Sequence, residues 1–237
     1  MTMTAKLFAP FFEIGPKNFL RQRDLRNLLR AAEVAGVREQ VAMIVTLPAV
    51  EIDAAKRLFP GVLAFAQHMD LDQPGSSVGR VIAEALADIG ADGVMLNHAQ
   101  RPLTKEKITV AIERAKENGL LTMVCARDDA EALSLAELAP DILLYEPPSL
   151  IGHSGGAARP WISEIDVRVS AINQTIKMMH AGGIATPADA QNVMLQGAAG
   201  TGATSAIVLA PDLAAAVDAL VAATRTGWNN YNTRKVA

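Results

Sequence analysis

The chain has 237 residues, half of them hydrophobic and 20% charged, with 17 Gly and 12 Pro spread along it, a profile that excludes disordered and collagen-like chains. A net charge of −3 argues against nucleic acid or an anionic membrane as a partner, and no apolar stretch approaches the roughly 20 residues that span a bilayer. A single cysteine, Cys125, excludes an intrachain disulfide framework and a Cys-rich zinc site; with a start (MTMTAKLF) unlike a signal peptide, it leads to the expectation of a cytoplasmic protein.

In chain order, short apolar runs at 5–12, 41–46, 62–67, 93–96, 120–125, 142–145, 176–180 and 205–209 read as buried parallel strands, each aliphatic or β-branched on both faces. Between and after them, residues 19–35, 49–58, 78–89, 105–118, 130–138, 160–173, 187–196 and 213–224 read as helices. Thr104 caps the fourth helix, Asn118-Gly119 closes it, and Thr186-Pro187 opens the seventh. The Gly/Ala stretch 197–203 reads as a flexible connection into the eighth strand. Strict alternation of eight strands with eight helices predicts an α/β fold, a single (β/α)8 barrel over 1–227 with a polar tail over 228–237. A doubly wound sheet would show a Gly-x-Gly-x-x-Gly turn after its first strand, and Phe12-Glu13-Ile14-Gly15-Pro16-Lys17 does not supply one.

Chemistry in such a barrel sits at the C-terminal ends of the strands. The predicted strands deliver Glu13; Gln67, His68 and Asp70; Asn97 and His98; Glu146; and His180 with Gly182-Gly183. All four histidines (His68, His98, His153, His180) fall at or after a strand end. Glu146 is followed by Pro147-Pro148, a stiff entry, and by glycines at 152, 155 and 156, a pliable exit, which together predict a lid. A carboxylate desolvated beneath it would serve as a general base near neutral pH.

These residues carry a resemblance. Ala66-Gln67-His68-Met69-Asp70, Leu96-Asn97-His98-Ala99-Gln100-Arg101, Tyr145-Glu146-Pro147-Pro148 with Leu150-Ile151-Gly152, and Ala181-Gly182-Gly183-Ile184 resemble the triosephosphate isomerase family, the short archaeal type above all, over nearly the whole chain. The resemblance implies a TIM barrel and an aldose–ketose isomerase working through an enediolate. It implies Glu146 as the base, His98 as the neutral imidazole that polarises the carbonyl, and Gly152, Gly182 and Gly183 as substrate contacts. It also implies a sugar or sugar phosphate as ligand, no cofactor or metal, and a homodimer or homotetramer built on the loop from Asp70 to Gly79.

Several positions depart from the family pattern. Phe11 and Glu13 stand where the family has Asn-x-Lys, and Gln100 replaces the acid that pairs with that lysine. Lys17, four residues past Glu13, is the candidate replacement cation. Val78 stands where the family has the threonine that reaches across the dimer. The eighth predicted strand is followed by Ala210-Pro211, with Asp212 beside it, where phosphate-binding glycines are expected. Other readings therefore stay open: a paralogue acting as a binding module, or metal-assisted sugar chemistry on Glu13, His68, His98, Glu146 and His180. A Schiff-base aldolase would need a lysine at an inner strand end, and Lys177 lies at the start of its strand.

Overall fold

The computed structural model describes residues 6–150, 159 and 161–236. Among the described residues, eight parallel strands close into a barrel in sequence order: β1 (Phe11–Ile14), β2 (Ala42–Leu47), β3 (Leu63–Ala66), β4 (Gly93–Leu96), β5 (Leu121–Ala126), β6 (Ile142–Tyr145), β7 (Lys177–His180) and β8 (Gly200–Ala203). The helices alternating with them are α1 (Gln22–Glu39), α2 (Ala49–Leu58), α3 (Ala83–Asp88), α4 (Lys105–Glu117), α5 (Asp129–Ala136), α6 (Trp161–Ile172), α7 (Pro187–Leu195), the short α8 (Ser205–Val208) and α9 (Leu213–Val236).

The strands read as continuous apolar runs because both faces are covered. Alternate residues, including Phe11, Ile44, Phe65, Met123, Leu144 and Met179, fill the barrel axis. Their neighbours, among them Phe12, Val45, Val124 and Leu143, pack under the helices. Thr104 caps α4 by accepting from the Lys107 N–H, and Thr186 with Asp189 forms a full capping box at α7.

The structure corrects the expected elements at both chain ends. The first strand is Phe11–Ile14, and the described residues before it, 6–10, form no strand, because Pro10 has no N–H for a ladder; Glu13 thereby lies inside β1. The eighth strand is Gly200–Ala203, within the stretch expected to be a connection, and the apolar run at 205–209 forms helix α8 with Ile207 buried. Gly200 and Gly202 explain why β8 carries no apolar pattern. A Cβ at Gly200 would lie 2.4 Å from the Phe11 ring, and one at Gly202 would lie 2.6 Å from both the Glu13 carbonyl and Met179 Cε. Neighbouring strands fill the space that side chains of β8 would need. At the other end, residues 228–236 continue α9 instead of forming a tail. Tyr231 lies against Gly197, where a Cβ would come 2.8 Å from its ring, and Trp228 packs on the core. The third helix starts at Ala83 and not at residue 78, so residues 70–82 are loop.

Candidate active site

A cavity of about 590 Å³ opens at the C-terminal ends of the strands. Glu13, Lys17, His98, Gln100, Glu146, Gly182 and Gly183 all line it, together with Gln67, His68 and Arg101. Gly152 and His153 lie outside the described residues.

Glu146 follows β6, and its N–H donates to the Ala126 carbonyl at 2.9 Å, so the strand ladder extends one residue and aims the side chain at the mouth. Burial raises the pKa of its carboxyl, and Lys17 partly offsets the shift. His98 is carried past β4 by Asn97, whose φ of 59° turns the chain sharply. Asparagine tolerates this conformation, and its side chain is tied down: Nδ2 donates to the Cys125 carbonyl at 2.9 Å and to Glu131 at 3.0 Å, and Oδ1 accepts from the Leu103 N–H at 3.0 Å. The Gln100 N–H donates to His98 Nδ1 at 3.1 Å. Nδ1 is thus the acceptor, and the neutral ring carries its proton on Nε2. Burial first, and Lys17 second, lower the His98 pKa, which favours that neutral form.

Lys17 sits on the loop after β1 with φ at 48°, a backbone conformation uncommon for lysine. Gln67 Nε2 donates to its carbonyl at 2.9 Å and braces that conformation. The ammonium acts electrostatically on Glu13, Glu146 and His98 together. Glu13 is 7% exposed, and the Thr46 hydroxyl donates to its Oε1 at 2.6 Å. Burial lifts its pKa from 4.5 to about 7, and the nearby Glu146 adds to the rise.

His180 does not join this group. It is the last residue of β7, but Met179 takes the inward position and His180 points under the helices, wholly buried, with Nε2 2.6 Å from Asp166 and the rings of Tyr145 and Trp161 beside it. This removes it from the proposed metal set. Among the described residues, no three His, Cys, Asp or Glu side chains are arranged to hold a metal ion. Asp70 also serves structure, pairing with Arg101 at 3.2 Å and Arg80 at 3.5 Å. The shifted β8 moves the loop that follows it: Thr204 and Ser205 line the cavity, whereas Asp212, far from being a repulsive neighbour of the ligand, accepts from the Ala215 N–H near the start of α9.

Sequence reasoning missed Thr46, Arg159, Thr204 and Ser205. Thr46 has ordinary strand propensity and gave no signal. Arg159 is 8% exposed and donates to the Ala181 and Gly182 carbonyls at 3.3 and 2.6 Å, fixing the loop after β7; a buried arginine is not legible in a polar stretch. Thr204 and Ser205 were hidden by the misplaced strand, although Gly-Thr-Gly-Ala before them marks a close backbone approach.

A family model described as triosephosphate isomerase matches residues 16–220. The triosephosphate isomerase of Methanocaldococcus jannaschii is 34% identical over 160 residues, covering 66% of this chain and 73% of that protein. That of Archaeoglobus fulgidus is 31% identical over 207 residues, 81% and 90% of the two chains. The crystal structure of the Bartonella henselae enzyme superposes with a TM-score of 0.70 at 18% identity, covering 89% of this chain and 98% of the other, a likeness of fold.

Proposed function

The chain belongs to the triosephosphate isomerase family, and from that premise we propose that it interconverts the aldose and ketose forms of a triose phosphate through an enediolate. Glu146 removes the proton from the carbon beside the carbonyl, and the Nε2–H of His98 polarises that carbonyl. Lys17 supplies the positive charge that the family takes from its first strand, reaching the same space from the loop. Gly182, Gly183 and Gln100 contact the ligand, and Gly152 is assigned to it by family likeness. The observation that carries the reading is that a desolvated carboxyl, a neutral imidazole with a fixed tautomer and a lysine line one cavity.

Purified protein given glyceraldehyde 3-phosphate should form dihydroxyacetone phosphate, and Glu146→Gln should slow that conversion roughly 1,000-fold, within the usual range for loss of a general base. Absence of conversion by the native chain, or undiminished conversion by the variant, would sink the proposal. We propose further that the enzyme is a cytoplasmic homodimer, or a homotetramer built from such dimers, joined through the loop from Asp70 to Gly79, where Val78 is 94% exposed. Sedimentation of a monomer at micromolar concentration would refute the dimer.

A further inference from the structure

The carboxyl of Glu13 has no place in the mechanism just described, although it lines the same cavity. Its surroundings are built to keep it there. A Cβ at Gly15 would lie 3.1 Å from Oε1, and one at Gly202 would lie 3.0 Å from Oε2, so both neighbouring positions are left without side chains around the carboxyl. Thr46 occupies Oε1 as a donor, which leaves Oε2 to carry the proton when the acid is neutral. Among the described residues Oε2 has no hydrogen-bond partner, although the residue is more than nine-tenths buried. An unpartnered, oriented carboxyl facing a ligand cavity is poised to bond the ligand.

We propose that Glu13 is a second proton-transfer group of this site, relaying the hydroxyl proton between the two substrate oxygens while Glu146 moves the carbon-bound one. The inference rests on the isomerase reading above. As Glu146 takes the proton from carbon, the C–H electron pair becomes the new C=C bond and the carbonyl π pair moves onto its oxygen. Glu13 Oε2–H passes its proton to that oxygen and becomes a carboxylate. When the carbonyl re-forms at the carbon that lost its proton, the carboxylate takes the proton released by the hydroxyl there, and Glu146 delivers its proton to the former carbonyl carbon. Both acids end as they began. The alternative relay, His98, would have to give up Nε2–H and become an imidazolate, a far stronger base than a carboxylate and so costlier to form. Glu13, with a pKa about 7, is matched to the step. The titratable groups facing it are Lys17 from the β1 loop, His68 after β3, His98 and Arg101 after β4, Cys125 on β5 and Glu146 after β6.

The test compares two rates in deuterated water with dihydroxyacetone phosphate: formation of glyceraldehyde 3-phosphate, and deuterium uptake into the recovered starting sugar. Uptake needs Glu146 and the polarising His98 but no transfer between the two oxygens, whereas product needs the oxygen relay as well. Glu13→Gln should slow product formation roughly 100-fold and uptake by less than tenfold. It should also abolish a fall in rate that the native enzyme shows as pH rises through about 7, where Glu13 loses its proton. Glu13→Asp, which keeps a titrating acid at shorter reach, should retain that fall. Parallel loss of both rates, or no loss of either, would overturn the relay and leave the isomerase reading intact. A native enzyme that shows neither product nor uptake would remove both.

Discussion

The two sides of the cavity are made in different ways. On the β4–β6 side, His98 and Glu146 emerge beyond the last strand residue and are aimed by backbone bonds, through the Gln100 N–H on one ring nitrogen and the Ala126 carbonyl beneath the other residue. On the β8–β1–β2 side, Glu13 lies within the strand itself, in space left by Gly15 and Gly202 and held by Thr46. The first side needs only a polar residue after an apolar run. The second needs three strands to yield to one another, and it holds charge at a deeper level.

Removing the cation between the sides should have the largest effect. Lys17→Met leaves two carboxyls facing each other with no positive neighbour from the loop, and kcat/KM should fall roughly 1,000-fold, on the scale of losing a preorganised oxyanion donor. Steady-state kinetics within a few fold of native would mean that the two sides do not share that charge.

The next effect is on stability and concerns Glu13 alone. A carboxyl whose pKa rises from 4.5 to about 7 on folding binds its proton more tightly in the folded state. The ionisation penalty of its burial is therefore absent below pH 4.5, grows between 4.5 and 7, and is near its full amount above 7. That amount is about 3 kcal/mol. Glu13→Gln should therefore stabilise the protein by about that much at pH 8 and by far less at pH 5, as measured by urea unfolding at both. Equal gains at the two pH values would show that the carboxyl ionises freely in the fold.

The smallest effect tests the space on the β8 side. Gly202→Ala places a methyl 2.6 Å from the Glu13 carbonyl and 3.0 Å from Oε2. It should cost about 2 kcal/mol of stability, as overpacking does. A native urea midpoint would show that β8 has room to spare.

Legibility in the sequence follows the same division. His98 lies two residues past β4 and His180 is the last residue of β7, yet both follow apolar runs in the sequence; one lines the cavity and the other pairs with Asp166 beneath the helices. The left-handed turn at Asn97 swings His98 into the mouth, whereas His180 stays in the ladder and takes the face opposite Met179, and an apolar run does not show where its strand gives way to a turn. Strand β8 was misplaced because its inward positions are glycines, and the 205–209 run that mimicked a strand is too short for periodicity to separate strand from helix. Helix α9 outran the expected tail because Tyr231 finds its neighbour across the chain at Gly197.

Local pattern along the chain sets the alternation of strands and helices, the closed parallel barrel that it implies, and the delivery of Glu146 and His98 to one end of it. These depend on local periodicity and on the positions of residues just past apolar runs. Contacts between distant segments desolvate Glu13, bring Lys17 to its cavity, make Arg159 hold the loop after β7 and turn His180 away. The physical reason is that desolvation and charge pairing are set by what the neighbouring strands place within a few ångströms, and those neighbours are far apart along the chain.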